Sequence, residues 1–407
     1  LAALNDSLKH ILRRLRIRRI RGACRSRRFV VAIMTTVSLA CTIPQDAVLV
    51  VGVITCTWPV VPLSRRILNM DTSQTNAELD HWLSTPTDGL RESLRSVSGN
   101  IIVLGAAGKM GPTLARMARR ALPESQQVIA VSRFGNDAVK DDLEQHGVTT
   151  IRCDLLNRDE VAALPDAPNV IFMAGHKFGT GDRPELTWMM NAIVPSNVGE
   201  RYKDSRTVVF STGCVYPLVS ANSGGSMETD TLGPPGEYAN SCVARERIFS
   251  FYATEFGTPM LLYRLNYAID LRYGVLHDVA TKVLNGQPVD VSMGYVNVIW
   301  QGDANARALQ CLAFAASPAA VMNVTGRTVV SVRELAIRFG EQFGVEPVIT
   351  GAEADTAWLS NAGKSFDRFG DVTVSLDKMI HATADWLQQG GVSLGKPTHF
   401  ETRDGKF

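Results

Sequence analysis

Patterned cysteine is missing from this chain. Its seven cysteines are scattered, with no CxxC pair and no metal-type spacing. An odd, dispersed count argues against a disulfide framework and suits a reducing compartment, so a cytoplasmic location is expected and no metal is. Charge of one sign is also missing, because the net charge over 407 residues is +2. The imbalance that exists sits in residues 1–69, which carry 12 Lys and Arg against 2 Asp; the rest of the chain stands at −8. A mildly acidic body offers nucleic acid no electrostatic footing. Internal repeats and low-complexity linkers are absent as well. A composition 45% hydrophobic and 20% charged is that of a globular protein, long enough for one large domain or two smaller ones.

Long apolar runs are scarce. FVVAIMTTVSLACTIPQ and AVLVVGVITCTWPVVPL, which follow the basic run LKHILRRLRIRRIRGACRSRR, reach 17 residues each, the short limit for a membrane span. A basic segment before an apolar one resembles a signal or anchor. SRRFVVAIM weakly resembles a twin-arginine signal but has no clear cleavage site. The reading adopted is that residues 1–69 are an over-extended start outside the fold, with MDTSQTNAELDHWL opening the natural chain at Met70. A membrane anchor is the alternative, and membrane association is otherwise not expected. Residues 70–97 read as a helical lead-in.

From Asn100 onward apolar runs alternate with helical patterns. NIIVLG, QVIAVSR, TTIRCDL, NVIFMAG and RTVVFSTG read as strands; PTLARMARRALP, DAVKDDLEQHG and TWMMNAIVPSNVGERYK read as helices. Strands apolar throughout and separated by helices predict a parallel sheet covered on both faces. The fold class is α/β: a Rossmann-type doubly wound sheet over residues 98–268. A smaller C-terminal substrate-binding lobe, 269–407, is interleaved with the sheet.

GAAGKMG sets Gly105, Gly108 and Gly111 in a GxxGxxG pattern between a strand and a helix, with Ala107, Lys109 and Met110 inside the loop. Such a loop lets backbone approach a pyrophosphate and aims a helix amino end at its charge. At the end of the second strand, where an acid would hold an NAD ribose, stand Ser132 and Arg133. A guanidinium suits a 2′-phosphate, so NADP is the expected cofactor, with NAD possible.

The chain resembles the extended short-chain dehydrogenase/reductases, the NAD-dependent epimerase/dehydratase family of sugar and nucleotide-sugar enzymes, over about residues 98–390. GAAGKMG is similar to the family's glycine motif, and CDL, with Asp154 and Leu155, to its adenine-side strand end. FMAGHKFG, with Ala174, Gly175, His176 and Lys177, resembles its fourth-strand loop, and Asn191 matches the asparagine of the next helix. FSTGCVY, YVNVIWQGDANARAL and MNVTGRTVVSVRELA match later segments in order. The resemblance implies hydride transfer at a sugar carbon, a small sugar-like substrate and a homodimer. It implies Tyr238 as acid/base, Thr212 as holder of the substrate hydroxyl, and His176 and Asn266 near the substrate.

One family member is missing. In EYANSCVARE the position four after Tyr238, where the family has the lysine that lowers the tyrosine pKa, is Cys242. On a helix the two residues share a face, and a thiol cannot replace an ammonium. Three readings stand. Lys177 or Arg245 supplies the cation; or Tyr238 acts as a neutral acid; or the protein binds NADP without turnover, as a sensor or scaffold. Cys242 is read as a small buried filler, a lysine restored there is expected to fit, and Lys109 and Glu228 are read as solvated.

Overall fold

The computed structural model describes residues 72–406 apart from 178, 180, 181 and 397. These described residues belong to one compact unit. The basic and apolar opening over residues 1–69 lies outside them, as does Met70. Among the described residues no helix is long and apolar enough to cross a membrane.

Seven parallel strands form the central sheet: β1 (Ile101–Leu104), β2 (Val128–Ser132), β3 (Thr149–Arg152), β4 (Asn169–Phe172), β5 (Arg206–Thr212), β6 (Met260–Leu265) and β7 (Ala320–Val324). Their spatial order is β7-β6-β5-β4-β1-β2-β3. Each residue of β1 is fully buried, and the two faces divide by parity. Ile101 and Val103 pack with Leu114 and Met117 on one side, while Ile102 and Leu104 pack with Val198 and Phe249 on the other. Alternating side chains on a sheet covered twice require this, and each such burial stabilises by roughly 1.5–3 kcal/mol. The strand order reverses between β1 and β4, so a crevice opens at their carboxyl ends, the place where doubly wound folds bind ligands.

The helical lead-in is part of the core. Helix α1 (Thr72–Leu83) sends Leu79 and Leu83 into the cluster of the C-terminal lobe. Helix α2 (Asp88–Arg95), N-capped by Thr87, sends Leu90 and Leu94 into the cluster beside β1. The lobe itself packs α-helices Val275–Leu284, Val332–Phe343 and Leu376–Gln388 around Trp300, Trp358 and Phe400.

The single helix expected over 187–203 is divided. Pro184–Trp188 and Val194–Arg201 are α-helical, and Met189–Ile193 between them is a π-turn. Pro195 explains the change: without an N–H it cannot donate to the carbonyl four residues back. Val194 N–H instead reaches the Met189 carbonyl, five residues back. The wider turn leaves Asn191 buried and facing the crevice loop.

Candidate active site

The glycine loop leaves β1 through Gly105, whose φ of +88° favours glycine. A Cβ there would stand 2.6 Å from the Ala174 nitrogen, so the loop lies directly on the end of β4. Gly111 opens helix α3 (Gly111–Ala121), with Pro112 in its first turn as expected. A Cβ on Gly111 would lie 2.2 Å from the Ala106 carbonyl oxygen, so helix and turn meet too closely for a side chain.

A cavity of about 550 Å³ lies beyond this loop, lined by Gly105, Ala107, Gly108, Ser132, Arg133, Asp154, Leu155, Ala174 and Gly175. It adds Phe134, Gly135, Met173 and Met190, none of which the sequence reading singled out. Phe134 holds a φ of +44°, rare for a bulky residue. Arg152 braces the turn by donating to the Arg133 and Phe134 carbonyls at 3.0 and 2.7 Å. The Arg133 side chain is exposed at this cavity's edge. A second cavity of about 500 Å³ continues past Gly108, Met110 and Gly111 to His176 and Lys177. Glycines too close to neighbouring backbone for any side chain, a helix amino end and a mouth cation together fit a dinucleotide.

A third cavity, about 220 Å³, holds Tyr238, Thr212 and Lys177. Tyr238 stands in the first turn of helix α4 (Glu237–Phe256), which starts after Gly236, and Thr212 ends β5. Their side chains are hydrogen-bonded, and Thr212 Oγ1 also accepts from Cys214 N–H at 3.1 Å. Cys242, one turn along α4, is hydrogen-bonded to Tyr238. It is fully buried against Val215 and Tyr216. A lysine restored at 242 would therefore have to displace that packing, contrary to the expectation that it fits.

Cations reach this group from two sides. Lys177 Nζ lies 5.9 Å from the Tyr238 ring centre. Burial lowers its pKa, while the Cys214 and Cys242 thiols act in the opposite direction. Arg245 lies behind, donating to the Phe210 carbonyl at 2.9 Å and to Asn191 Oδ1 at 2.6 Å. Burial nevertheless pushes the Tyr238 phenol well above its ordinary pKa, and the two thiols push the same way; Arg245 and Thr212 only oppose them. Tyr267, in the same cavity, holds a φ of +44°, a conformation that persists only where its surroundings over-determine it.

Residues 101–291 match one family's sequence pattern. That family is the NAD dependent epimerase/dehydratase family. No curated protein matches the chain. Among solved structures it is similar to the UDP-glucose 4-epimerase of Thermus thermophilus in complex with NAD (20% identity, TM-score 0.60, covering 71% of this chain and 99% of that one). It is also similar to a dTDP-glucose 4,6-dehydratase from Bacillus anthracis in complex with NAD (17%, TM-score 0.61, 72% and 97%). A UDP-glucuronic acid 4-epimerase mutant from Bacillus cereus stands equally near (18%, TM-score 0.61, 71% and 99%). At these identities the likeness speaks to the fold.

Against the epimerase/dehydratase pattern, several residues stand elsewhere than the sequence suggested. Asn191 is fully buried and clamps the site from behind, accepting from His176 N–H and donating to the His176 carbonyl and to Ser241, each at 2.9 Å. Its amide thus positions the loop that carries Lys177. His176 lines the second cavity, and burial and the nearby Arg133 lower its pKa. Asn266 lines the third, but its amide donates to Asn297 Oδ1 and the Trp358 carbonyl. Glu228 is half-buried, and its carboxylate accepts from Asn323 N–H at 2.9 Å. Lys109 is exposed, as read, and its Nζ lies 2.9 Å from the Tyr273 ring centre. Tyr273, Lys396 and Thr398 line the cavities and were missed. For Lys396 and Thr398 the only signal was KPTHFETRDGKF, a polar, aromatic-bearing stretch without a role.

Proposed function

We propose that this chain is an NAD(P)-dependent oxidoreductase, epimerase or dehydratase acting on a hydroxyl or carbonyl of a sugar-like small molecule. The reading rests on one observation: Tyr238, Thr212 and Lys177 share a cavity that has Lys109, Met110, Lys177 and Tyr273 in common with the glycine-loop cavity. The relatives crystallised with NAD support a nicotinamide cofactor, with NADP favoured here by Arg133. Gly105, Gly108 and Gly111 would hold its pyrophosphate, Asp154 and Leu155 its adenine side, and Lys177 its nicotinamide side. When bound, the cofactor supplies the acceptor or donor of a hydride. Thr212 orients the substrate oxygen, and Tyr238 passes a proton to or from it. With its pKa raised, Tyr238 is neutral at pH 7 and suited to donating a proton to a developing alkoxide, the direction of carbonyl reduction. For the reverse direction, Lys177 and Arg245 supply the positive field that Cys242 cannot.

The cofactor test is direct. NADP should bind more tightly than NAD. Arg133→Ala should weaken NADP by roughly tenfold to a hundredfold and spare NAD, since a charge-assisted hydrogen bond contributes about 1.5–3 kcal/mol. Fluorescence titration of both dinucleotides checks this, and equal losses would remove the 2′-phosphate assignment.

Lys177 has its own signature. Removing a cation near the phenol raises the Tyr238 pKa further. In the oxidative direction Lys177→Met should therefore shift the rising limb of the pH–rate profile upward by about one unit. An unchanged profile would leave the field to Arg245. A second reading, a non-catalytic NADP binder, is favoured by Cys242 in the lysine position. It predicts tight dinucleotide binding without turnover on sugars, sugar acids and ketones.

A further inference from the structure

The two cavities that meet at Tyr238 and the glycine loop are lined by Lys109, Lys177, His176 and Lys396, and no Asp or Glu is among their lining residues. The nearest acids are committed to other groups. Asp270 pairs with Arg272 at 2.8 Å, and Asp278 accepts from the Thr398 hydroxyl at 2.6 Å and its N–H at 2.8 Å. Lys109 and Lys396 make no ion pair among the described residues. Asp270 and Asp278 only partly offset the loss that burial imposes on the Lys109 charge.

Lys177 is assigned to the cofactor's nicotinamide side, which leaves Lys109 and Lys396 to be accounted for. A pyrophosphate is served by the glycine loop and the amino end of α3. The Lys109 ammonium is held over the Tyr273 ring, which belongs to the C-terminal lobe. Lys396 and Thr398 come from the segment that KPTHF begins. Phe400 is buried in the lobe core, Thr398 is tied to Asp278, and Arg403 donates to the Thr356 carbonyl at 2.6 Å. Gly405 lies against Gly236, immediately before α4: a Cβ on Gly236 would stand 2.5 Å from the Gly405 carbonyl oxygen. This strap bounds the Tyr238 cavity through Thr398 and leaves it about 220 Å³, below the usual range of roughly 300–1,000 Å³ for sites of larger ligands. A single-ring or open-chain molecule fits such a volume.

Building on the oxidoreductase reading above, we propose that the substrate is a small hydroxy or keto acid of sugar size, held by its carboxylate between Lys109 and Lys396. Thr212 and Tyr238 then address a hydroxyl or carbonyl elsewhere on the same molecule. Lys396 makes the strap a specificity element, because it carries a charge that no residue of the sheet supplies.

Calorimetry on the full chain loaded with NADP tests the proposal, with glucuronate, galacturonate and gluconate against glucose, galactose and UDP-glucose. The acids should bind about tenfold or more tightly than their neutral counterparts, as a charge-assisted contact allows. Lys109→Met should erase that preference, Lys109→Arg should restore most of it, and Lys396→Met should weaken it while changing dinucleotide affinity less than about twofold. Equal binding of acids and neutral sugars, tightest binding of UDP-glucose, no measurable binding of any acid, or a matching loss of dinucleotide affinity in Lys396→Met would each overturn it. Hydride transfer, followed by absorbance in the same samples, separates the two proposals. Acid binding without turnover sinks the enzyme reading and keeps the anion site. Turnover confined to neutral or nucleotide sugars keeps the enzyme and sinks the site.

Discussion

Replacing Tyr238 with Phe should lower turnover by about a hundredfold or more, since a positioned general acid or base commonly contributes roughly 10²–10⁴. The change removes one oxygen and keeps the ring, so the packing beside Cys242 and Val243 survives. What is lost is the hydroxyl bonded to Thr212 and Cys242. Dinucleotide affinity should change little, because Tyr238 borders the 220 Å³ cavity and not the 550 Å³ cavity beyond the glycine loop. Steady-state kcat at saturating cofactor, beside a dinucleotide titration, separates the two quantities. A variant with intact turnover would move the proton-transfer group elsewhere, and a variant that also loses cofactor would mean the ring, not the hydroxyl, matters. Cys242→Ser provides the contrast: as a filler it should be mild, and abolished activity would make the cysteine a catalytic group.

Glu246→Gln should destabilise the folded protein by about 3–5 kcal/mol, the usual result of removing one member of a buried ion pair. Glu246 and Arg264 are among the most enclosed charges in the structure, with side chains 3% and 5% exposed. Glu246 accepts from Arg264 Nε at 2.9 Å and Nη2 at 2.7 Å, and from Ser211 Oγ at 2.6 Å. Arg264 also donates to the Tyr216 hydroxyl at 2.6 Å, which donates in turn to Asn323 Oδ1 at 2.8 Å. The network thus joins α4, β5, β6 and β7 directly below Thr212. Neutralising Glu246 leaves the guanidinium buried without its counter-charge, whereas Ser211→Ala removes only one hydrogen bond and should cost about 1 kcal/mol. Denaturant unfolding of the two variants checks the ordering. A loss below about 1 kcal/mol for Glu246→Gln would show that water or a shifted side chain satisfies Arg264.

The sheet was legible because its signals are local. Four or five apolar residues between turn residues specify a strand buried on both faces, and β1, β2, β4 and β5 fall where those runs stand, whereas β3, TTIR at the sheet edge, is not buried. The glycine loop was legible for the same reason, since close backbone approach leaves its mark as glycine. The C-terminal lobe was not, because its short strands and helices are held by contacts between distant residues, such as Leu79 with the Trp300 cluster. Tyr273, Lys396 and Thr398 carry no motif of their own, and only folding brings them beside Lys109. The buried position of Asn191 was not legible because its surroundings depend on a π-turn, whose cause, Pro195, reads equally well as a helix start. The lysine exchanged for Cys242 was visible at once. That Lys177 and Arg245 approach from outside the motif was visible only as a possibility.

The lead-in has a further consequence, in kinetic terms. Helix α1 is rooted in the lobe and α2 in the sheet, only Ser84, Thr85, Pro86 and Thr87 separate them, and Asp80 is paired with Arg272 at 2.8 Å. Lobe and sheet are thereby coupled like two plates sharing a short hasp, and a wide hinge between them would have to extract leucines from one core or the other. Ligand exchange is then governed by loop-scale motion at the mouth of the crevice. Association is expected as a single bimolecular step, without a slow isomerisation of the whole protein following it.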